Sequence, residues 1–293
     1  MKASKYKAKL NFLQREAILI GEISNFDYLL EFKNSLKIKK ESIKKTIDAI
    51  KEGVRVGRVT EFKLIRLKDE LLNIDMEIKK VDSLIATSKA NIYKLTKLKP
   101  TTKIPIHSNI PKSGEFFELK PIKSEIEAMK YEIKAAKDKF LPKVFFKADG
   151  YRAFGEGDAD SFGSVGVYLT WEIFNKKNLA SVQKAKIKYL KSELSFDKNL
   201  KDLIAKKDEI LKRIDNLNAS IKMAKKSLRI KRELLKSAKV AFELDEMSVD
   251  EYLGYENELA KARATLASLI AKKNMLIAQL AFMYGENFKK VFK

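Results

Sequence analysis

The chain has 293 residues, of which 34% are charged and 45% are hydrophobic, and its formal net charge is +22. This composition excludes a disordered chain, and no stretch approaches the roughly 20 apolar residues that a membrane-spanning helix needs. Cysteine is absent, which excludes disulfide bonds and thiolate metal sites.

The excess positive charge is mostly lysine, spread along the chain and interleaved with Glu and Asp. Single-strand nucleic-acid binders combine a basic groove with aromatic stacking residues, and the sequence has no such cluster. We therefore interpret the lysines as a solvated surface and predict no specific nucleic-acid partner. The first residues, MKASKYKAKLNFLQREAILIGEIS, carry charges throughout and lack the apolar centre of a signal peptide.

Residues 1–99 predict two antiparallel helices. Gly57 suits the position just after a helix C-terminus, because glycine adopts the left-handed conformation without strain. Thr60 suits the N-cap of the second helix, which ends before Pro100. The first helix carries apolar residues that step by 4-3-4, which is heptad spacing: Ile43, Ile47, Ile50 and Val54.

All five prolines lie between Pro100 and Pro142. Residues 100–120 lack helical periodicity and predict an extended connector. Pro121 suits the first turn of a short lead-in helix over residues 121–140, because that position needs no backbone N–H donor.

Residues 141–175 predict a β-hairpin. Two runs of alternating apolar residues flank a tip rich in Gly, Asp and Ser, and such alternation bounded by turn residues is typical of paired strands. Each run has roughly ten residues, which is the length of a tilted strand that crosses a membrane.

Residues 176–285 predict a second, longer helical hairpin, followed by a tail over 286–293. Neither glycine nor proline occurs from Lys176 to Leu253, so a helix ending near Phe242 would be about 100 Å long. Its apolar residues also follow heptad spacing: Ile210, Ile214, Leu217, Ile221, Ala224 and Leu228.

The two helical hairpins look like an internal repeat. Placing Gly57 on Asp245, 188 residues later, also places Thr60 on Ser248. The second hairpin therefore has a predicted tip near Asp245 and a predicted N-cap at Ser248.

The order of strand, polar tip, strand and long helix, with Trp171-Glu172-Ile173-Phe174-Asn175 at the junction, resembles the TolC family of outer-membrane efflux proteins. That family ends its second strand with a W-x-I/L-F-D/N motif, and the segment from Phe242 to Ala262 resembles its helical tip. The resemblance implies a mainly α fold with one β-hairpin. Long coiled-coil helical hairpins would form an α-barrel, and the β-hairpin would contribute to a trimeric membrane β-barrel.

The resemblance also implies a function. The chain would be the outer-membrane channel of a tripartite efflux or type I secretion system, a passive duct with its helical tunnel in the periplasm. Its partners would be two further copies of itself, outer-membrane lipid, a periplasmic adaptor (membrane fusion) protein and an inner-membrane pump of the RND or ABC type. We expect no enzyme, cofactor or metal, since the sequence has no phosphate-binding loop, metal-ligand spacing or nucleophile arrangement.

In the resembling family the helical tips contact the adaptor. The corresponding residues here are Val56, Gly57 and Arg58 at the first tip, and Leu244, Asp245 and Glu246 at the second. The second tip has Asp245 where the family has glycine. Asp tolerates the left-handed region better than most residues, so we expect the turn to form.

The family's periplasmic gate carries acidic residues just after the second tip, which implies a gate role for Asp250 and Glu251. A symmetric ring of carboxylates attracts cations and repels anions. The second acidic position of the family falls on Gly254, so part of the ring is absent. The structural alternative is a capping box between Ser248 and Glu251, and the two roles are compatible.

Five aromatic residues are candidates for girdles at the membrane interfaces: Tyr151, Phe154, Phe162, Tyr168 and Trp171. The alternative is that they pack a small soluble hairpin against helices. His107, the sole histidine, is predicted to be a surface residue.

In the family each half of the chain carries a β-hairpin, whereas the first half here begins inside a helix. Three copies would supply six strands, fewer than the roughly eight of the smallest membrane barrels. We therefore expect a sequence that lacks its amino-terminal third, with a genuinely shortened variant as the alternative. Two other function classes remain open: a soluble coiled-coil scaffold or adaptor-like protein, and a basic coiled-coil nucleic-acid binder.

Overall fold

The computed structural model describes residues 2–104, 106, 108–111, 114–152, 161–172 and 174–292. Over these residues the chain is mainly helical with one two-stranded antiparallel sheet, as predicted. The elements are α1 (Lys2–Arg55), α2 (Glu61–Thr96), a 3-10 turn (Phe117–Leu119), α3 (Lys120–Asp138), β1 (Lys143–Arg152), β2 (Ser161–Thr170), α4 (Lys176–Glu243), α5 (Val249–Tyr284) and α6 (Phe288–Val291).

The chain divides into two compact units. The first comprises Met1–Lys7 and Leu119–Asp202, and the second comprises Ala8–Glu118 and Leu203–Lys293. The first unit contains α3 and the β-hairpin, and the second contains both helical tips.

In the first unit, β1 and β2 pair over ten residues each, from Lys143 opposite Thr170 to Arg152 opposite Ser161. The indole N–H of Trp171 donates a hydrogen bond of 3.0 Å to the carbonyl oxygen of Phe140, just before β1. This bond ties the exit of the hairpin to its entry.

The junction between β2 and α4 is capped by a side chain. The Asn175 carboxamide oxygen accepts from the backbone N–H of Lys177 at 2.9 Å. An amide side chain just before a helix satisfies an N–H group that has no partner within the helix. The Asn at the end of the junction motif therefore starts the long helix.

The core of the second unit lies between heptad seams. Ile43 of α1 is fully buried, and Leu67 of α2 is fully buried in the same cluster. The second hairpin adds Phe242 and Tyr252, whose rings stack with centroids 4.7 Å apart. Further buried members of this cluster are Ile47, Ile50, Ile74, Val81, Ile85, Ile92, Val249 and Leu253.

The predicted connector is held by the C-terminal end of the chain. Ser108 forms an isolated antiparallel bridge with Phe292, and the Asn109 N–H donates to the Val291 carbonyl oxygen at 2.9 Å. The segment predicted as a plain tail therefore contains α6 and packs on the connector.

The helix α5 corrects one expectation from the sequence. By length and composition alone it is apolar enough to cross a membrane, so the prediction that no segment reaches that composition was wrong. Two buried polar side chains of α5 bond to other helices or to the connector: Glu256 accepts from Ser42, and Asn274 accepts from Ser108. These bonds are those of a core helix within the second unit.

Candidate functional site

The first helical tip is a Schellman turn. Gly57 has a φ of +73°, the left-handed conformation that favours glycine. The Arg58 N–H donates to the Gly53 carbonyl oxygen at 2.8 Å, and the Gly57 N–H donates to the Val54 carbonyl oxygen at 3.1 Å. These two bonds satisfy the last carbonyl groups of α1. Val56 is left exposed at the tip.

The second tip repeats this geometry. Asp245 has a φ of +66°. The Glu246 N–H donates to the Ala241 carbonyl oxygen at 2.9 Å, and the Asp245 N–H donates to the Phe242 carbonyl oxygen at 3.2 Å. The turn therefore forms with aspartate in the place of glycine, and Leu244 is exposed there as Val56 is at the first tip.

Two ion pairs join the tips. Lys63 of α2 pairs with Asp245, and its Nζ lies 5.2 Å from the centroid of the Phe242 ring. Arg66, one turn further along α2, donates to Asp250 at 2.7 Å. The hydrogen bond and the charge of Asp250 raise the pKa of Arg66. Neither Lys63 nor Arg66 was predicted from the sequence, because local patterns do not reveal which residues of another hairpin lie opposite.

Glu251 forms the capping box. The Ser248 N–H donates to the Glu251 carboxylate at 3.0 Å, and the Glu251 N–H donates to the Ser248 hydroxyl at 3.2 Å. The bonds from the Ser248 hydroxyl and backbone N–H lower the pKa of Glu251. The structural alternative for this residue is thus confirmed, and its gate role stays a prediction.

A buried polar cluster lies deeper between α1 and α5. The Tyr252 hydroxyl lies 3.0 Å from the Thr46 hydroxyl and donates to Glu256 at 2.9 Å. Glu256 also accepts from Ser42. Burial raises the pKa of Glu256, and burial together with the nearby Glu256 charge raises the pKa of Tyr252 to about 12.

The sequence contains a signal for this cluster, although none of the predictions included it. Four polar residues of α1 step by 4-3-4, the heptad spacing of a seam: Ser35, Lys39, Ser42 and Thr46. All except Ser42 are buried. Lys39 pairs with Glu70 of α2 and donates to Asn257 of α5, so one lysine joins three helices.

The β-hairpin has two chemically different faces. One face is apolar and exposed, and it consists of Val144, Phe146, Ala148, Val165, Val167 and Leu169. The other face carries an ion pair of 2.9 Å between Lys147 and Asp149. On that same face the rings of Phe145 and Tyr168 stack with centroids 5.9 Å apart.

The register separates the predicted girdle aromatics. Position 151 lies opposite position 162, and strand alternation puts both positions on the face of Tyr168, which carries the Lys147–Asp149 ion pair. Girdle residues face lipid, and the register places positions 151, 162 and 168 on the face opposite to the apolar one. The girdle role of the five aromatic residues stays a prediction. Trp171 directly follows β2 and continues the alternation of the apolar face.

Two predicted residues, Phe154 and His107, lie outside the described residues. Within the part of the chain that the structure describes, no group of three or more His, Cys, Asp or Glu side chains is placed to hold a metal ion.

Residues 117–284 match the family model described as outer membrane efflux protein. The chain belongs to the outer membrane efflux protein family. The match runs from the 3-10 turn to the end of α5, and so includes both strands and the second helical tip. Membership confirms the TolC-like resemblance and identifies an outer-membrane efflux channel component. It also decides against the soluble scaffold and the nucleic-acid binder.

Solved structures show the same fold. The outer membrane protein VceC from Vibrio cholerae is 16% identical, with a TM-score of 0.83 over 98% of this chain and 73% of that chain. The Campylobacter jejuni CmeC outer membrane channel is 18% identical, with a TM-score of 0.78 over 99% and 67%. The Neisseria gonorrhoeae MtrE outer membrane channel is 13% identical, with a TM-score of 0.79 over 97% and 68%. No curated protein sequence matches the chain.

Proposed function

We propose that the protein is one protomer of a homotrimeric efflux channel. Its β-hairpin contributes to a barrel in the outer membrane, and its helical hairpins form a tunnel in the periplasm. The channel acts as a passive duct rather than as an enzyme. The predicted segments 1–99, 100–120, 121–140, 141–175, 176–285 and 286–293 would be its successive parts.

The exposed apolar face of the β-hairpin carries this proposal. The exposed fractions of Phe146, Val165 and Val167 are 69%, 71% and 73%. An isolated two-stranded hairpin is marginal in water, and such a face needs lipid or further strands to cover it. Neighbouring strands from other protomers would satisfy the edges, and lipid would cover the apolar side chains.

Partly buried seams support assembly with other copies. Ile210 and Ile214 of α4 are buried within the second unit, whereas Leu217, Ile221, Ala224 and Leu228 continue the same seam and are only partly buried. A heptad seam is buried fully when another helix packs along it. In a closed tunnel, that helix would come from a second protomer.

The helical tips are the proposed contact for a periplasmic adaptor protein. They comprise Val56, Gly57, Arg58, Leu244, Asp245 and Glu246, among which Val56 and Leu244 offer apolar surface to a partner. Asp250 and Glu251 are the proposed gate residues. An inner-membrane pump of the RND or ABC type would supply the energy, in an efflux or a type I secretion system.

The sole tryptophan provides a direct test of the membrane placement. The purified gene product, with any tryptophan outside this sequence replaced by phenylalanine, is reconstituted into vesicles that contain phosphatidylcholine brominated at shallow or deep acyl positions. We expect Trp171 fluorescence to be quenched most strongly by the shallow bromines, because the residue ends β2 at the proposed interface. The same protein in unbrominated vesicles is the control. Quenching by aqueous iodide but by neither brominated lipid would overturn the proposal.

Stoichiometry is tested separately by native mass spectrometry of the same protein in detergent. The expected mass is that of three copies, and a monomer that stays soluble without detergent contradicts the channel.

A further inference from the structure

A cleft of about 540 Å³ opens within the second unit between α1, the connector, α4 and α5. Its volume lies in the range of small-molecule sites, about 300–1,000 Å³. One part of its wall is apolar and consists of Ile38, Ile106, Leu228, Leu266, Ala267, Ile270 and Ala271. The charged residues that line it are Asp27, Glu31, Lys103, Arg232 and Arg263.

The acidic residues of the cleft already have partners. Glu31 pairs with Lys103 at 2.7 Å. Burial raises the pKa of the Asp27 carboxyl, which accepts from the backbone N–H of Ile104 at 2.9 Å and is also attracted by Lys103. The carboxylates of α1 are therefore balanced by the connector.

The two arginines are not balanced in this way. Burial and the positive charge of Arg232 lower the pKa of Arg263. Glu256 attracts Arg263, but that carboxylate already accepts hydrogen bonds from Ser42 and Tyr252. Among the described residues, neither guanidinium has an ion pair within 4.0 Å. Two like charges that share a partly desolvated wall favour an anion between them.

One buried hydroxyl lies in the wall of the cleft. Ser24 lines the same cleft and is 2% exposed, and its Oγ has no hydrogen-bond partner among the described residues. Buried polar atoms are seldom left unpaired, because each one costs free energy.

We propose that this cleft binds a small amphipathic organic anion. Arg232 and Arg263 hold its carboxylate or sulfonate, and Leu266 and Ile270 contact its apolar body. Such binding goes beyond the channel function proposed above, and it can be measured without conduction.

The test uses the assembled gene product in a neutral detergent, with 2-naphthoate as the probe and 2-naphthamide as its uncharged counterpart. Binding is followed by isothermal titration calorimetry. We expect naphthoate to bind more tightly than naphthamide and more weakly as the salt concentration rises. The double variant Arg232→Gln/Arg263→Gln should raise the Kd for naphthoate by at least about tenfold, which is the effect of losing one charge-assisted hydrogen bond.

Arg229→Gln is the matched control. It removes one positive charge from the helix that carries Arg232 but does not line the cleft, so naphthoate should bind that variant as it binds the wild type. Ala267→Phe fills the cleft and should abolish binding of both probes without a change in charge. Equal affinity for naphthoate and naphthamide, or equal loss in the Arg229 control, overturns the proposal. Binding that occurs only to dissociated protomers also overturns it, since a second copy would then occupy the cleft in the assembly.

Discussion

Asp245 takes in the second helical tip the position that Gly57 takes in the first. Both residues have positive φ, +66° and +73°, and both follow a long helix whose last carbonyl groups accept the same pair of backbone N–H bonds. The two turns lie 188 residues apart in the sequence. The two tips therefore share a backbone conformation although one has glycine and the other has aspartate. The carboxylate of Asp245, which has no counterpart at Gly57, pairs with Lys63.

Replacing Gly57 with alanine should destabilise the protein by about 1–2 kcal/mol, the cost of left-handed backbone for a residue with a Cβ. A Cβ at this glycine would meet no atom within 4 Å, so the cost is that of the backbone alone. The measurement is chemical unfolding followed by circular dichroism. Gly254→Ala is the matched control, since this exposed glycine lies inside α5 and also has open space around it. It should stabilise the helix by about 1 kcal/mol. Changes of the same sign in both variants would contradict the explanation.

The positions of the tips and the hairpins could be predicted from the sequence, because each is indicated by residues that lie close together in the chain. Glycine at a helix end, Ser248 followed three residues later by Glu251, and alternating apolar residues each describe a single segment. The offset between Gly57 and Asp245 then linked two such segments. Chemical patterns over a few residues were therefore enough to place both tips and the capping box.

The contacts between the hairpins could not be predicted in this way. Which residue of α5 meets Ser42 depends on how two helices are aligned along their length, and many alignments satisfy the same heptad pattern. The aromatic residues show a related limit. Successive residues of a strand lie on opposite faces. Tyr168 and Trp171 are three positions apart, so the alternation places them on opposite faces, although one role was predicted for both. Only the pairing of Tyr168 with Phe145 showed that it shares the face of Lys147.

The capping box makes stability depend on pH. The pKa of Glu251 is lowered from its ordinary 4.5, so the ionised carboxylate stabilises the fold above that pH. This contribution is lost as the pH falls through the lowered pKa. Glu251→Ala should therefore lower the midpoint of thermal unfolding at neutral pH and have a smaller effect in acid. Glu251→Gln should keep part of the box without that pH dependence. A Glu251→Ala effect that is equal at both pH values contradicts this account.

The hydroxyl of Ser24, which has no partner among the described residues, should cost stability. Ser24→Ala removes a buried polar atom that has no partner among the described residues and keeps the small volume of the side chain. We expect a gain of about 1 kcal/mol in the free energy of unfolding. Ser88→Ala is the control: this equally buried hydroxyl donates to the Glu22 carbonyl oxygen at 3.4 Å, so its removal should not stabilise. A loss of stability in Ser24→Ala would show that the hydroxyl has a partner.

The two faces of the β-hairpin should respond differently to a new charge. Val167→Lys places an ammonium group on the exposed apolar face, and we expect it to reduce the fraction of protein that inserts into vesicles, because a charge in lipid is costly. Ser164→Lys places the same group on the face that carries the ion pair of Lys147 and Asp149, directly opposite Asp149, and it should insert as the wild type does. Insertion is measured by flotation with the vesicles. Equal insertion of the two variants would show that the apolar face does not meet lipid.

The ion pair of Arg66 with Asp250 should influence opening if the tips form the gate. This pair joins α2 to the first turn of α5, so its loss would let the second hairpin move away from the first. Exposed ion pairs are weak singly, but a gate held by several symmetric copies adds their effects.

Arg66→Asp should raise the conductance of the channel in a planar lipid bilayer, because it also sets two carboxylates against each other. The exchanged variant Arg66→Asp/Asp250→Arg should restore the low conductance, whereas a simple loss of side-chain packing would not be restored. Arg58→Asp makes the same charge change at a tip residue outside this pair and is the control. If Arg66→Asp conducts as the wild type does, the pair does not hold the gate, and Asp250 keeps only its contact with α2.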